Sequence, residues 1–233
     1  MKKQFQSRLD NQLYQYAEGI ISQKYDVIKL LLHTVQFILR TSPVENPATI
    51  PDDCKLVLSV NRLFFGIRDK IFTIHFPFST QQDRDSSILK IIWNRYQIDH
   101  KVTSLLLGAI ADEEREIERQ FRYGMLEDLD NYLINQDISD QMGNPYAVED
   151  WVRELLKYLI LSESGYFRYD YDPVGAKKHE HPEKYHPLNH LDVFFSNGAT
   201  MKVGLSKKVT TDWIIDLADA NAECKYICES KFR

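Results

Sequence analysis

Cysteine is scarce in this chain: three in 233 residues, Cys54, Cys224 and Cys228. Three thiols cannot build the disulfide framework of a small secreted domain, and they fit a reducing compartment better. Cys224 and Cys228 stand four apart, a spacing that puts them on one helix face, but no further ligand lies beside them, and they read as buried or idle thiols. No apolar run approaches the ~18–20 residues of a membrane span. The opening MKKQFQSRLDNQLYQY is charged with no apolar stretch behind it, so it does not read as a signal peptide. The expected location is cytoplasmic. Positive charge is not in excess either: 29 Lys and Arg against 34 Asp and Glu give a net charge of −5. That argues against broad electrostatic capture of duplex nucleic acid and leaves room only for a local basic patch. Repeats and low-complexity tracts are missing. What is present is ample core material, with 43% hydrophobic residues, 13 tyrosines and 12 phenylalanines.

In chain order, Phe5, Leu9, Leu13 and Tyr16 recur every three or four residues and predict a helix from about residue 3 to 19. Ile28, Leu31, Leu32, Val35 and Leu39 predict a second over 25–40. Val27, Leu30, Phe37 and Ile38 widen its apolar stripe, so it should be covered on more than one side. His33 on this helix reads as a core or surface residue rather than a ligand. TSPVENPATIPDD then breaks the helix with three prolines and reads as a linker after a helical N-terminal unit, residues 1–42. An α+β domain should occupy 54–233. It begins with a hairpin over 55–78, whose alternation slips near Asn61 and Arg62 as at a bulge. His75 in its second strand is placed on an open face. Ser79 to Asp85 reads as a turn. Helices should fill 86–163: one capped at Ser86 or Ser87 and running from Ile88 to about Gly108, and a charged one with a seam of Ile117, Phe121, Met125, Leu129 and Leu133 and an i, i+4 pair between Glu118 and Arg122. After a loop at 137–145, the last carries Val148, Trp151, Val152, Leu155, Leu156 and Leu159 at helical spacing.

From Tyr166 to Leu205 the period changes to two. Phe167, Tyr169 and Tyr171 alternate with Arg168 and Asp170. Leu191, Val193 and Phe195 alternate with His190 and Asp192. Asn197-Gly198 signals a tight hairpin turn into Met201, Val203 and Leu205. Thr210, Thr211 and Asp212 offer a cap for a C-terminal helix carrying Trp213, Ile214, Leu217 and Cys224. The fold class is therefore α+β, an antiparallel sheet of about five strands packed against several helices.

Four of the seven histidines, His179, His181, His186 and His190, fall between these strands. With the aromatic side chains facing the core, Arg168, Asp170, His190 and Asp192 share the opposite face, and His186 can lean over them. Pro187 rules out an H-x-x-x-H metal helix. Three chemistries remain open. His186 and His190 could be the acid and base of a metal-free phosphodiester cleavage, with Arg168 holding phosphate charge and Asp170 or Asp192 orienting a histidine. Histidines with Asp170 or Asp192 could hold a divalent metal, although no ligand spacing rule is met and no resident metal or other cofactor is expected. The third possibility is a fold-stabilising network. His179 and His181 read as parts of a solvated loop. Lys177, Lys178, Lys184 and Lys202 cluster near the histidines and are the expected nucleic-acid contacts.

R-Y-D-Y-D-P at Arg168 to Pro173, H-P-x-x-H-L at His186 to Leu191, a polar hairpin and a last amphipathic helix resemble an uncharacterised bacterial domain family with an R-[FY]-D-[FY] strand followed by H-P-x-S-H-L. Asn189 stands where that family favours serine. The likeness covers about the last 70 residues. The R-Y-D-Y element also resembles small toxins of toxin–antitoxin pairs. What the resemblance implies is an accessory or effector protein of a bacterial defence or toxin-type system, acting on nucleic acid, with nuclease chemistry at the Arg/His site as the enzymatic form. The alternative is a non-catalytic protein–protein interaction module in a multi-subunit complex, docking a partner through the acidic helices. Neither reading calls for a membrane.

Overall fold

Hydrophobic alternation along both ends of the chain builds one antiparallel sheet, and the middle of the chain builds a second unit. The computed structural model describes residues 4–19, 24–44, 49–82, 89–117, 145–196 and 199–225. The first unit comprises residues 1–9, 44–74 and 165–233, and the second residues 10–43 and 75–164.

In the first unit the strands are β1 (Phe5–Arg8), β2 (Cys54–Ser59), β3 (Arg62–Ile67), β4 (Lys70–His75), β8 (Phe167–Tyr171), β9 (Asn189–Ser196) and β10 (Ala199–Gly204), side by side in that order. Two expectations are corrected here. Phe5–Arg8 is a strand, not the start of a helix, pairing Phe5 with Leu58 and Arg8 with Lys55; the helix begins only at Asn11, where Asp10 caps it by accepting from the Leu13 amide. The slip near Asn61 is not a bulge but a two-residue turn. Val60 and Asn61 both have positive φ, 47° and 56°, the twist that joins adjacent antiparallel strands most directly. The expected hairpin is thus three strands, and β2 to β4 turn again at Arg68 and Asp69. One face carries a core of Val57, Phe64, Ile71, Tyr169 and Leu191 beneath Ile214 and Ile215 of α7 (Thr211–Ala218). Thr210 caps that helix, its hydroxyl accepting from the Trp213 amide.

Two short helices, α5 (Pro173–Lys177) and α6 (Pro182–Tyr185), interrupt the chain between β8 and β9. A buried hydrogen bond fixes the strands on either side: the Tyr169 hydroxyl donates to Asn189 Oδ1 at 2.7 Å. Asn189 is therefore the acceptor for a core tyrosine. Tyr169→Phe removes the donor and leaves that oxygen buried. We expect a loss of about 1–3 kcal/mol, read as a lower urea midpoint at unchanged slope.

The second unit holds α1 (Asn11–Glu18), α2 (Lys24–Arg40), α3 (His100–Ile117), α4 (Pro145–Leu161) and a small antiparallel sheet of β5 (Ser79–Gln82), β6 (Leu89–Trp93) and β7 (Tyr96–Ile98). Helix α2 is its centre, contacting α1, α3, α4 and β6, as its wide apolar stripe requires. His33 stacks on Tyr16 with ring centroids 3.8 Å apart. Ser79–Gln82 is a strand rather than a turn. Residues 89–98 are strands rather than the first half of a helix, reversing at Asn94 with φ 54°; helix α3 starts at His100, with Asp99 capping the Val102 amide. Val152, Leu155, Leu156 and Leu159 are buried along α4, as their spacing predicts. The seam from Phe121 to Leu133, the Glu118–Arg122 pair, residues 137–144 of the expected 137–145 loop, the cap at Ser86 or Ser87, the Asn197-Gly198 turn and Cys228 lie outside the described residues; Pro145 begins α4 instead of ending the loop. The class is α+β, with seven strands in one sheet and three in another among the described residues, where about five were expected. No described helix is long and apolar enough to cross a membrane.

Candidate functional site

Strand register alone assembles the charged cluster. Arg168 on β8 pairs with Asp192 on β9, and Asp192 pairs with Lys202 on β10. One step along, Asp170 pairs with His190, and His190 with Gly204. Directly opposite residues share a face, so Arg168, Asp170, His190, Asp192 and Lys202 stand together on the face away from the α7 core. The expected gathering of Arg168, Asp170, His190 and Asp192 is present.

The guanidinium joins both carboxylates: Arg168 Nε donates to Asp170 Oδ2 at 2.6 Å and Nη2 to Asp192 Oδ2 at 3.1 Å. The second oxygen of Asp192 is 2.8 Å from Lys202 Nζ. Burial opposes the Arg168 charge, but the Tyr166 hydroxyl, Asp170 and Asp192 outweigh it and raise its pKa above the ordinary arginine value. Burial chiefly pushes the Tyr166 hydroxyl up as well. Phe72, Tyr166 and Phe194 flank the cluster as a run of tilted rings, and Arg168 lies 5.9 Å from the Phe194 centroid.

His190 is the floor, with a side chain only 2% exposed. Its Nδ1 is 2.7 Å from the Pro187 carbonyl oxygen. A carbonyl only accepts, so Nδ1 carries a proton and Nε2 is the atom turned to the carboxylates, 3.7 Å from Oδ2 of Asp170 and of Asp192. Gly204 makes this possible. A Cβ there would lie 3.0 Å from Pro187 Cγ, so glycine opposite His190 lets the prolyl segment fold down over the strand.

His186 has a carboxylate partner of its own. Its Nε2 is 2.9 Å from Asp172 Oδ2, and its ring meets the His190 ring edge-on with centroids 4.8 Å apart. Asp172 also caps α5, its Oδ1 accepting from the Gly175 amide at 2.7 Å. That bond, followed by His186, holds the Asp172 carboxyl below its usual range despite some burial. Asp172 is not among the residues expected in the site. The signal for more was there, since Asp before Pro is a strong helix cap and positions a carboxylate. Lys202, an expected nucleic-acid contact, pairs with Asp192 and keeps a third of its side chain exposed. Lys177, Lys178 and Lys184 stand exposed around α5 and α6, as does Tyr185. His179 stacks on His186 at 5.5 Å. His75 lies in the second unit beside a cavity of ≈ 20 Å³, room for about one water.

No family model, curated protein or solved structure matches the chain.

Proposed function

We propose that this protein acts on nucleic acid, with Arg168 and Lys202 receiving a phosphate group and His186 transferring a proton. One observation carries the reading. Arg168, Lys202 and His186 have side chains 28%, 33% and 23% exposed, over the buried floor of Asp170, His190 and Asp192. Partly exposed cations above fixed carboxylates are pre-aimed for an anion, and a histidine held by a carboxylate has its orientation set for acid–base work. His190, being buried, acts in this scheme by support rather than by touching substrate. Exposed Lys177, Lys178 and Lys184 beside exposed Tyr185 give a surface on which a single strand can be held by charge and stacking. The effector role in a bacterial defence or toxin-type system rests on the resemblance of the C-terminal stretch.

A second reading, the non-catalytic interaction module, is favoured by the charge balance of the cluster: two carboxylates already neutralise Arg168 and Lys202. One experiment separates the two. Labelled single-stranded RNA and DNA are titrated with wild type, His186→Ala and a Lys177→Glu, Lys178→Glu, Lys184→Glu triple variant at two salt concentrations, with cleavage followed on gels. The nucleic-acid reading expects salt-sensitive binding that the triple variant weakens at least ~10-fold. His186→Ala should keep binding and lose cleavage by ~10²–10⁴-fold. Wild type that neither binds nor cleaves at low salt leaves the interaction module.

A further inference from the structure

We infer that Asp170, His190 and Asp192 form a binding site for one divalent transition-metal ion. Their ligand atoms all lie within 4.8 Å of one another, and the inference rests on how those atoms are left. The Pro187 carbonyl takes the proton of His190 Nδ1, which leaves Nε2 as the ring atom facing the two carboxylates. At 3.7 Å from each Oδ2 it is beyond hydrogen-bond reach. Asp170 adds the second, independent sign: its side chain is 8% exposed, and its Oδ1 is buried with no hydrogen-bond partner. An unsatisfied carboxylate oxygen so placed costs free energy that a cation recovers.

Geometry and chemistry agree on the kind of ion. Ligand atoms at ~2.0–2.2 Å from a metal are ~3.7 Å apart when the angle between them is near 120°. One imidazole nitrogen and two carboxylates suit zinc, manganese or cobalt, whereas calcium and magnesium prefer all-oxygen sites. A backbone carbonyl on the far nitrogen of a ligating histidine, and cationic donors on the ligating carboxylates, are the outer arrangement such sites use. Here Pro187, Arg168 and Lys202 supply it. With the ion bound, the cluster carries excess positive charge, so its remaining coordination positions take water, hydroxide or an added anion. The site stands whether or not the protein acts on nucleic acid, and its test uses none.

Full-length protein is stripped with a chelator, exchanged into clean buffer and titrated with Zn²⁺ alone. Calorimetry should give one ion per chain, and the melting temperature should rise with free zinc. In ¹⁵N-labelled wild type, the Nε2 resonance of His190 should move on saturation. Asp170→Asn and Asp192→Asn should each weaken binding by ~10-fold or more. The inference is overturned by wild type that binds no stoichiometric zinc, or by zinc that shifts signals of His179 or His181 and leaves His190 in place. Binding at wild-type strength in both Asn variants also overturns it. Should a variant fail to fold, the His190 resonance in wild type decides alone.

Discussion

Gly66→Ala should be the most damaging single-methyl change in the sheet, lowering stability by about 4 kcal/mol or more and the melting temperature by roughly 10 °C. A Cβ on Gly66 would lie 1.8 Å from the carbonyl oxygen of Asp52 and 3.3 Å from the Thr211 hydroxyl oxygen. The nearest atom belongs to backbone and has no rotamer by which to retreat. Asp52 is also the link from the start of β2 to α7: its side chain takes Lys55 Nζ at 2.8 Å and the Thr211 amide at 3.4 Å. Pushing Asp52 away therefore loosens the helix whose Ile214 and Ile215 close the core. Thermal and urea melts of the variant check this; a melting temperature within two or three degrees of wild type would show that the Asp52 crossing yields without cost.

Arg168→Ala is expected to cost about 3 kcal/mol, the lower end of the range for breaking a buried ion pair. Asp192 keeps Lys202 at 2.8 Å, whereas Asp170 loses its 2.6 Å partner and is left with His190 at 3.7 Å. The loss should thus trace to Asp170. In the Arg168→Ala background, Asp170→Asn should recover part of the stability, because a neutral amide is cheaper to bury than an unpaired carboxylate. The double-mutant cycle tests this directly. Additive losses would mean that the two side chains do not act as a pair. The contribution holds at every ordinary pH. A raised arginine pKa gives stability that is complete below the unfolded value and is lost only as pH climbs through the folded one, beyond the alkaline limit of ordinary buffers.

The cluster was legible because a strand leaves no choice: with Tyr169 and Leu191 inward, Arg168, Asp170, His190 and Asp192 point outward together. Lys202 joins them by register across a hairpin, which alternation alone does not number. The His186–Asp172 contact was hidden because it depends on how α5 and α6 fold the chain back, not on any period. Elsewhere short strands imitated helices. Phe5 and Leu9 lie four apart, yet Phe5, Gln6 and Ser7 are consecutive and all buried, a strand buried on both faces rather than a helix with one apolar stripe. Leu89, Ile91 and Ile92 precede a true helix and extend its apparent spacing backwards. Val60 is a poor residue for positive φ, so the turn that separates β2 from β3 had no glycine to announce it. The α2 and α4 stripes, long enough for the 3.6 period to outweigh local accidents, read correctly.

The pairing of β4 with β8 joins Lys70 to Asp170 and Thr73 to Phe167, about 100 positions away. Closing so large a loop costs about 4 kcal/mol of chain entropy before any contact repays it. This junction should therefore form late when the chain folds, after the intervening segment has shortened the gap by gaining structure of its own. On the ribosome the delay is longer. The segment KIFTIH at Lys70–His75 emerges with β3 on one side and open backbone on the other until residues 167–171 are made. Through that interval β4 is a bare, apolar edge able to add a foreign strand, and the lysine at its start is the nearest charge that opposes such pairing.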